Sequence, residues 1–348
     1  MSLTMPDVRD ALHNNWFIPF FQPVHDTVGN ECVGAEVLAR LSHPLLGVLP
    51  PSEFLPHMRD QQDLAVLTRA LMTESCHRFA GQALPAGFML TFNVTTDMLE
   101  QSWLHASCEA LIAALGGRVT VILEILEHAS FEEFHQQLLS SVSLLRRKGV
   151  RLALDDFGTG YSGLALLHQV GGDYLKIPRE FIAAMTREKT ADCIIDNIVH
   201  LADILQLGII AEGVECQSQI SALSAKGVTL VQGFCYSPPI DGDEFITYLR
   251  QTGSAMTSED ATVNTITRHM TPELLHRCAR LHRLSPRETE VITLIALGKK
   301  LALSSKNSVR SVKTMSVQKL SAYKKIGVKN DVEFIHYLYC LADNTEVA

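Results

Sequence analysis

The sequence predicts an α/β fold, an eight-unit barrel of strands and helices followed by a small all-α domain. Two observations predict the barrel: short β-branched runs alternate with helical patterns from about residue 17 to 240, and acidic residues stand where the strands end. A third observation predicts the second domain, because the alternation stops after Tyr248 and a basic helical segment follows. A chain of 348 residues is long enough for both.

Eight strands are predicted, each as a short apolar run. They occupy residues 17–23, 32–39, 88–94, 119–126, 151–155, 174–177, 208–211 and 230–232. Helical patterns over residues 61–79, 130–148 and 190–207 lie between them. Such repeated alternation predicts a parallel sheet, and about eight units predict a closed barrel with its chemistry at the C-terminal ends of the strands.

Polar side chains stand at or near the C-terminal end of almost every predicted strand. They are Glu36, Asn93, Glu124, Asp155, Asp156, Lys176, Glu212 and Gln232. A barrel would gather them at one mouth, where carboxylates without arginine partners repel one another. Divalent cations would relieve this repulsion, and an all-oxygen ligand set indicates Mg²⁺ or Mn²⁺. Two such ions a few Å apart are suited to phosphodiester hydrolysis.

Residues 251–282 are predicted to form a linker, with a helix beginning near Thr271, between a barrel at 1–250 and a helical domain at 283–342. Ser285 and Glu288 have the spacing of a helix capping box, and Pro286 fits the first turn. Residues 276–330 carry 13 Lys and Arg against two acidic residues. That charge indicates a polyanion partner or, in the simpler interpretation, a solvated basic face.

The composition points away from membrane and secreted proteins. No apolar run approaches the roughly 20 residues that cross a bilayer, and the N-terminus lacks the pattern of a signal peptide. Eight scattered cysteines without a C-x-x-C pair fit reduced thiols better than a disulfide framework or a zinc site. We therefore expect a cytoplasmic protein with no membrane partner.

Seven segments resemble, in order and spacing, the motifs of the EAL domain. They read GAEVLARL, LTFNVT, LEILE, LALDDFGTGYSGL, YLKIP, IIAEGVE and VQGFCYSPPI, within about residues 15–250. The resemblance implies a modified TIM (β/α)8 barrel that hydrolyses cyclic di-GMP to the linear dinucleotide pGpG. Domains of this family often dimerise, so a homodimer is expected.

The resemblance also assigns roles. Glu36, Asn93, Glu124 and Asp155 would bind one metal ion, with Asp156 and Glu212 beside the second, to which Asp155 bridges. Glu212 would position or deprotonate the attacking water, and Lys176 would contact that water or the scissile phosphate. The substrate-binding positions are Gln22, Arg40 and Gln232, and Glu127 would steady the loop after the paired aspartates. Simpler alternatives are a strand-end cap for Asn93, a backbone hydrogen-bonding role for Gln22 and loop bracing for Glu215.

Two positions depart from the EAL motifs. Val37 replaces an alanine, a small apolar change that a strand tolerates. Pro178 replaces an aspartate that lies close to the second metal in the family, so a carboxylate and a backbone N–H are lost. Two interpretations remain open: an enzyme, slowed by this change, or a transcription factor whose barrel senses cyclic di-GMP or serves as a dimerisation platform.

Residues 283–340 resemble a LuxR-type helix-turn-helix domain, in the segments LSPRETEVITLIALGKK and RSVKTMSVQKLSAYKKIGVKN. The resemblance implies a DNA-recognition helix over residues 311–326. The residues that would face the major groove or its phosphates are Lys313, Thr314, Gln318 and Lys319. Lys324 and Lys325 would contact the DNA backbone. Val312, Val317, Leu320 and Ile326 would pack inside.

The preceding helix of that motif departs from the family pattern. Ser304 and Ser308 stand where apolar residues usually pack on the recognition helix. Losing those contacts predicts weak DNA binding or a need for dimerisation. The alternative is a helical bundle that no longer binds DNA.

Overall fold

The protein consists of two compact units, Met1–Ser254 and Ala255–Ala348. This computed structural model describes residues 3, 5–58, 60–126, 136–160, 163–253, 272–296, 312–328, 334, 337–338 and 341. Among the described residues, the strands belong to the first unit and the second unit contains helices.

The first unit forms around a sheet that has nine strands among the described residues. They are β1 (Phe17–Asp26), β2 (Glu31–His43), β3 (Gly47–Leu49), β4 (Phe88–Val94), β5 (Val119–Leu126), β6 (Arg151–Asp155), β7 (Tyr174–Ile177), β8 (Gly208–Ala211) and β9 (Leu230–Gln232). β1 pairs with both β2 and β9, which closes a barrel, and β3 adds a short hairpin outside it. The predicted barrel is confirmed, whereas β3 was not predicted.

The first strand runs against the others. β1 pairs antiparallel with β2 and with β9, while β2 and β4 to β9 pair parallel with one another. The prediction of a parallel sheet is therefore wrong for β1. The physical reason is the short turn after Asp26, since closely spaced strands joined by a hairpin pair antiparallel. Because of this reversal, Gln22 in the middle of β1 lies opposite Glu36 on β2.

Ten helices of the first unit are described along with the strands. They are α1 (Met5–His13), α2 (Pro51–Phe54), α3 (Gln61–Phe79), α4 (Ser102–Ala114), α5 (Gln136–Arg147), α6 (Gly163–Val170), α7 (Arg179–Ala184), α8 (Lys189–Leu205), α9 (Gln217–Ala225) and α10 (Gly242–Gly253). The main core combines buried side chains of the strands and of these helices. Asp60 caps α3 by accepting a hydrogen bond from the Gln62 N–H at 2.9 Å.

A second, smaller apolar cluster fills the inside of the barrel. It consists of Val24, Met89, Ile122, Ala153 and Ile210, each from a different strand. Side chains alternate along a strand, so residues two and four positions beyond Met89 point to the same side. The polar residues of the mouth therefore lie one layer above these packed apolar side chains.

The second unit packs three described helices, α11 (Pro272–Leu281), α12 (Pro286–Ala296) and α13 (Val312–Ile326). Leu274, Leu275 and Cys278 of α11 are buried in the same core as Ala322 and Tyr323 of α13. The predicted helix near Thr271 is present as α11. The structure differs from the predicted linker at 251–282 in that residues 251–253 complete α10 and α11 belongs to the core of this unit. The apolar side of α11 explains the difference.

The predicted capping box at the start of α12 is confirmed. The Ser285 N–H donates to Glu288 Oε2 at 2.7 Å, and the Glu288 N–H donates to Ser285 Oγ at 3.3 Å. Residues 303–308, the predicted first helix of the turn motif, lie outside the described residues.

Candidate active site

The strand register brings the predicted polar residues together at one end of the barrel. Asn93 pairs with Glu124 across β4 and β5, and Leu126 pairs with Asp155 across β5 and β6. These positions lie at or near the C-terminal ends of parallel strands, where barrel enzymes place their chemistry.

Lys176 stands at the centre of this cluster and is almost fully buried, with 1% of its surface exposed. Its Nζ lies 2.5 Å from Glu212 Oε1, 2.9 Å from Glu124 Oε2, 3.1 Å from Asp155 Oδ1 and 3.5 Å from Glu36 Oε2. An ammonium group has three N–H donors and one positive charge. Four carboxylates around it therefore exceed what the lysine can satisfy or neutralise.

Glu36 is held by side-chain amides in addition to Lys176. Asn93 Nδ2 donates to Glu36 Oε1 at 3.2 Å, and Gln232 Nε2 donates to Glu36 Oε2 at 2.5 Å. Gln232 Nε2 also lies 3.1 Å from Gln22 Oε1, and Gln22 Nε2 donates to the Ser237 carbonyl at 3.4 Å. Gln22 therefore has both a backbone partner, the Ser237 carbonyl, and a contact with Gln232 at the mouth.

The electrostatics of the cluster follow from burial and crowding. Burial favours neutral Lys176, but the charges of Glu124, Glu36, Glu212 and Asp155 outweigh it and raise its pKa well above the usual value. Burial, and then the charge of Glu36, raise the pKa of Glu124 well above that of an ordinary carboxyl. Burial alone would raise the pKa of Glu36, but Lys176 and the two amides lower it. Burial raises the pKa of Glu212 to about 7.

The donor set fits divalent cations. Asp155, Asp156 and Glu212 each offer a carboxylate oxygen, and these oxygens lie within 4.8 Å of one another. Among the described residues, Glu124 Oε1 is buried without a hydrogen-bond partner, and Lys176 Nζ is the one donor near Glu124 Oε2 and Asp155 Oδ1, at 2.9 and 3.1 Å. Buried carboxylate oxygens in excess of their donors are the ligands that Mg²⁺ and Mn²⁺ prefer.

The loop after the paired aspartates is tightly turned. Asp156 has a φ of 51° and Gly158 a φ of 93°, conformations that favour short polar residues and glycine. The Thr159 hydroxyl donates to the Asp156 carbonyl at 2.9 Å, and the Phe157 N–H donates to the Lys176 carbonyl at 3.2 Å. These bonds tie the aspartates to β7, the strand of Lys176.

Pro178 fits its position without strain. It precedes α7 with a φ of −68°, and its carbonyl accepts the Phe181 N–H at 3.1 Å. The residue is buried at the end of β7. The proline therefore supplies no carboxylate at the end of β7, the strand on which Lys176 lies within the cluster.

Arg40 and Glu127 were also predicted to lie at the mouth. Arg40 is half-buried, donates from Nη1 to the Ala39 carbonyl at 2.8 Å and lies over the Phe20 ring at 5.1 Å. Glu127 lies outside the described residues. Glu215 braces a loop, as the simpler interpretation held, through an ion pair with Arg179 at 2.6 Å. Arg179 and Ser237 were not predicted, because their contacts with Glu215 and Gln22 join segments that no local pattern connects.

The predicted DNA-contacting residues of α13 differ in their surroundings. Lys324 is exposed, whereas Lys325 Nζ lies 2.6 Å from Glu288 Oε2 and Lys319 lies over the Tyr323 ring at 5.4 Å. Gln318 is half-buried. The side chains of Lys313 and Thr314 lie outside the described residues.

The predicted inner face of α13 is partly wrong. Val317 and Leu320 are 62% and 65% exposed, whereas Ile326 is buried as predicted. The physical reason is rotation about the helix: Met315, Ala322 and Tyr323 occupy the buried side, and residues 317 and 320 lie on the opposite one. Apolar character alone did not distinguish these two sides.

The chain belongs to the EAL domain family, whose model matches residues 5–239. It is 33% identical over 249 residues to "Cyclic di-GMP phosphodiesterase PdeL" of Escherichia coli K12, covering 68% of this chain and 66% of the relative. It is 34% identical to "Probable cyclic di-GMP phosphodiesterase PdeN" of the same organism, covering 70% of this chain and 48% of the relative. The chain thus spans about half to two thirds of these relatives.

A solved structure agrees with this assignment. The structure titled "PaMucR Phosphodiesterase, c-di-GMP complex" superposes with a TM-score of 0.60 at 27% identity, covering 69% of this chain and 98% of that one. Within the part of the chain that the structure describes, no helix has the length and hydropathy to span a membrane.

Proposed function

We propose that the barrel hydrolyses cyclic di-GMP to pGpG with two divalent cations, Mg²⁺ or Mn²⁺. The observation that carries the proposal is the surplus of carboxylates around Lys176. Three of its four carboxylate neighbours, Glu124, Asp155 and Glu212, have oxygens that are suited to bind metal. The names of the relatives and the ligand of the solved structure supply the substrate class.

Each residue of the cluster has a role in this proposal. Glu36, Asn93, Glu124 and Asp155 would hold one ion, and Asp155, Asp156 and Glu212 the other. Bound there, the ions supply a water of lowered pKa and neutralise charge on the phosphate. Glu212 orients the attacking water or takes its proton, and Lys176 stabilises the scissile phosphate. Gln22, Arg40 and Gln232 contact the ligand.

The direct test is turnover by the full chain. Purified protein is incubated with cyclic di-GMP and Mg²⁺ or Mn²⁺, and pGpG is quantified by chromatography, with a chelator as the control. We expect pGpG only when metal is present. No pGpG with either ion, at protein concentrations above that of the substrate, contradicts the proposal.

A second candidate function is cyclic di-GMP sensing without turnover, and Pro178 is the observation that favours it. The buried proline supplies no carboxylate beside the Asp155–Asp156–Glu212 group. Pro178→Asp distinguishes the two functions, because losses next to metal ligands change affinity or rate by about 10–100-fold. Activity that appears only in Pro178→Asp, with ligand binding in both proteins, supports sensing; comparable turnover in both supports the enzyme.

We propose further that the second unit is a LuxR-type helix-turn-helix domain that binds DNA. Its support is the excess of 13 basic over two acidic residues in 276–330 and the exposed Lys324 on α13. The binding constant for duplex DNA is measured as the salt concentration is raised. The plot of the logarithm of the binding constant against the logarithm of the salt concentration becomes less steep by about 0.9 for each phosphate contact that is lost. Lys324→Ala should reduce the slope by about one contact. Lys189→Ala, at an exposed lysine of the first unit, is the matched control, and equal behaviour of both variants contradicts this role for Lys324.

The two units would be coupled if cyclic di-GMP changes DNA affinity. We propose that the chain is a cytoplasmic homodimer, since paired DNA half-sites suit a two-fold symmetric protein. Sedimentation of the full chain with and without cyclic di-GMP and DNA tests this. A monomer under all conditions, with unchanged DNA affinity, contradicts both the dimer and the coupling.

A further inference from the structure

Glu212 is carried by a short segment, residues 212–215, whose backbone is fixed from two sides. The Glu212 N–H donates to the Ile177 carbonyl at 3.0 Å, and the Val214 N–H donates to the Gln232 carbonyl at 3.0 Å. Gly213 between them has a φ of 61°. Position 213 is therefore the one place in this segment where the chain turns through the left-handed region.

A side chain from the neighbouring strand end lies across that turn. A Cβ added to Gly213 would fall 2.2 Å from Cγ of Arg179 and 2.5 Å from its Cβ, so the Arg179 stem rests directly on the glycine. The guanidinium continues past it to Glu215, with Nη2 donating to Oε1 at 2.6 Å. Arg179 thus spans the whole segment from Gly213 to Glu215.

The Arg179 side chain and its partner Glu215 connect two parts of the cluster. Arg179 stands three residues after Lys176, and Glu215 three residues after Glu212. Lys176 Nζ and Glu212 Oε1 are 2.5 Å apart. The Arg179–Glu215 pair therefore joins the two segments that carry the central lysine and the carboxylate beside it.

The pair contributes little to stability, which leaves a positional role. The Arg179 side chain is 62% exposed, and ion pairs of such exposed groups are weak because water screens them. Solvent does not screen the packing of the stem on Gly213, which restricts the path of the segment.

We propose that Arg179 is a positioning residue, which holds the 212–215 segment so that the Glu212 carboxylate faces Lys176 and the metal ligands. The inference rests on the proposed hydrolysis, and it predicts an effect on metal binding that does not need turnover.

The chain offers a matched control. Arg78 has the same arrangement on α3 and α10: its stem lies against Gly242, where an added Cβ would be 2.6 Å from Arg78 Cδ, and Nη1 pairs with Asp243 at 2.8 Å. None of these residues belongs to the cluster around Lys176. Arg78→Ala removes an equivalent pair of contacts, with Gly242 and Asp243, at a surface away from the mouth.

The experiment compares the full chain with Arg179→Ala, Arg179→Lys and Arg78→Ala. Three quantities are measured: kcat and KM for cyclic di-GMP with Mg²⁺, the Kd for Mn²⁺ by calorimetry or electron paramagnetic resonance, and Tm. We expect Arg179→Ala to lower kcat and weaken Mn²⁺ binding by about 10-fold each, with KM within about twofold and little change in Tm. Arg179→Lys should recover part of both losses, because its stem still covers Gly213.

Two results would overturn the proposal. One is a kcat and an Mn²⁺ Kd in Arg179→Ala within twofold of the full chain. The other is an equal loss in Arg78→Ala, which would indicate a general effect of surface ion pairs. If the unaltered chain produces no pGpG, the proposed hydrolysis fails, and the Mn²⁺ Kd of the same variants still decides the role of Arg179.

Discussion

The molecule contains two buried charged clusters of opposite design, one in each unit. Around Lys176, four carboxylates share one ammonium, and Glu124 Oε1 is buried without a hydrogen-bond partner among the described residues. Around Glu288, one carboxylate accepts hydrogen bonds from the Ser285 N–H at 2.7 Å, the Ser321 hydroxyl at 2.7 Å and Lys325 at 2.6 Å.

The difference teaches how to separate a structural cluster from a functional one. The Glu288 cluster is neutral as a pair and satisfied by its own donors, so it joins α12 to α13 without any ligand. The cluster of Lys176 retains a surplus of negative charge that folding alone does not relieve. A surplus of this kind indicates a site that is completed by cations.

The largest expected effect is on catalysis at the unbalanced cluster. Glu36→Ala should reduce turnover of cyclic di-GMP by at least about 100-fold, more than the losses typical of residues behind the metal ligands. Steady-state kinetics with Mg²⁺ measure this, and circular dichroism checks the fold. Glu31→Ala, at the exposed start of the same strand, is the matched control. Near-normal turnover in Glu36→Ala would remove Glu36 from the metal site.

The next effect is stabilisation by metal. Mg²⁺ or Mn²⁺ at about 100 times its Kd should stabilise the barrel by ~2.7 kcal/mol. That corresponds to a Tm rise of several degrees for a unit of this size, measured by scanning fluorimetry of the barrel tryptophans Trp16 and Trp103. Asp155→Asn should lose most of the rise, and Glu288→Gln should keep it. An equal rise in Asp155→Asn would show that the ions bind elsewhere.

The balanced cluster should respond in the opposite way, through stability alone. Glu288→Ala removes the acceptor for Lys325, Ser321 and the Ser285 N–H, at a cost of about 2 kcal/mol to the second unit. Lys325 is 41% exposed, so its unpaired charge remains hydrated and the cost stays below that of a fully buried pair. Hydrogen exchange of α12 and α13 measures the loss. Glu290→Ala, an exposed neighbour, should change protection far less, and equal changes would contradict the assignment.

The smallest effect is a pH dependence of the second unit. Burial alone would raise the pKa of Glu288, but hydrogen bonds from Lys325, Ser285 and Ser321 lower it to about 2. A depressed carboxyl pKa stabilises the folded state above the unfolded value of about 4.5, and this contribution is lost as pH falls towards 2. Exchange rates in α12 between pH 5 and 3 should therefore change less in Glu288→Gln than in the unaltered chain once the intrinsic pH effect is removed. Identical profiles would contradict a role for this carboxylate.

Most of the barrel could be predicted because each strand is a local apolar pattern. The eight predicted strands all occur, and the carboxylates of Glu124, Asp155 and Glu212 lie at or just after strand ends, whereas Glu36 lies in the middle of β2. The direction of β1 was wrongly predicted because strand–helix alternation was extended to the first two strands, although the short connection from Asp26 to Glu31 has no room for a crossover helix. Strand β3 is only three residues long and too short to show a pattern.

The residues of the candidate site that stand on or just after predicted strands could be predicted from the sequence. Those that depend on contacts between distant segments could not. The carboxylates, Asn93 and Gln232 follow the strand rule, whereas Arg179 reaches Glu215 across 36 residues. On α13 the pairing of Lys325 with Glu288 spans 37 residues, and so a lysine expected at DNA is held within its own unit.

The reversed first strand has a consequence for the order in which the chain can assemble. The β1–β2 hairpin pairs residues that are close in sequence, from Asp26 with Glu31 to Phe17 with Leu41. By contrast, Val24 meets Gln232 only after 208 further residues have been synthesised. Because loop closure over such a distance is slow, the hairpin forms early and its free edge waits for β9. A nascent chain halted before β9 would present that open edge to chaperones or to other chains.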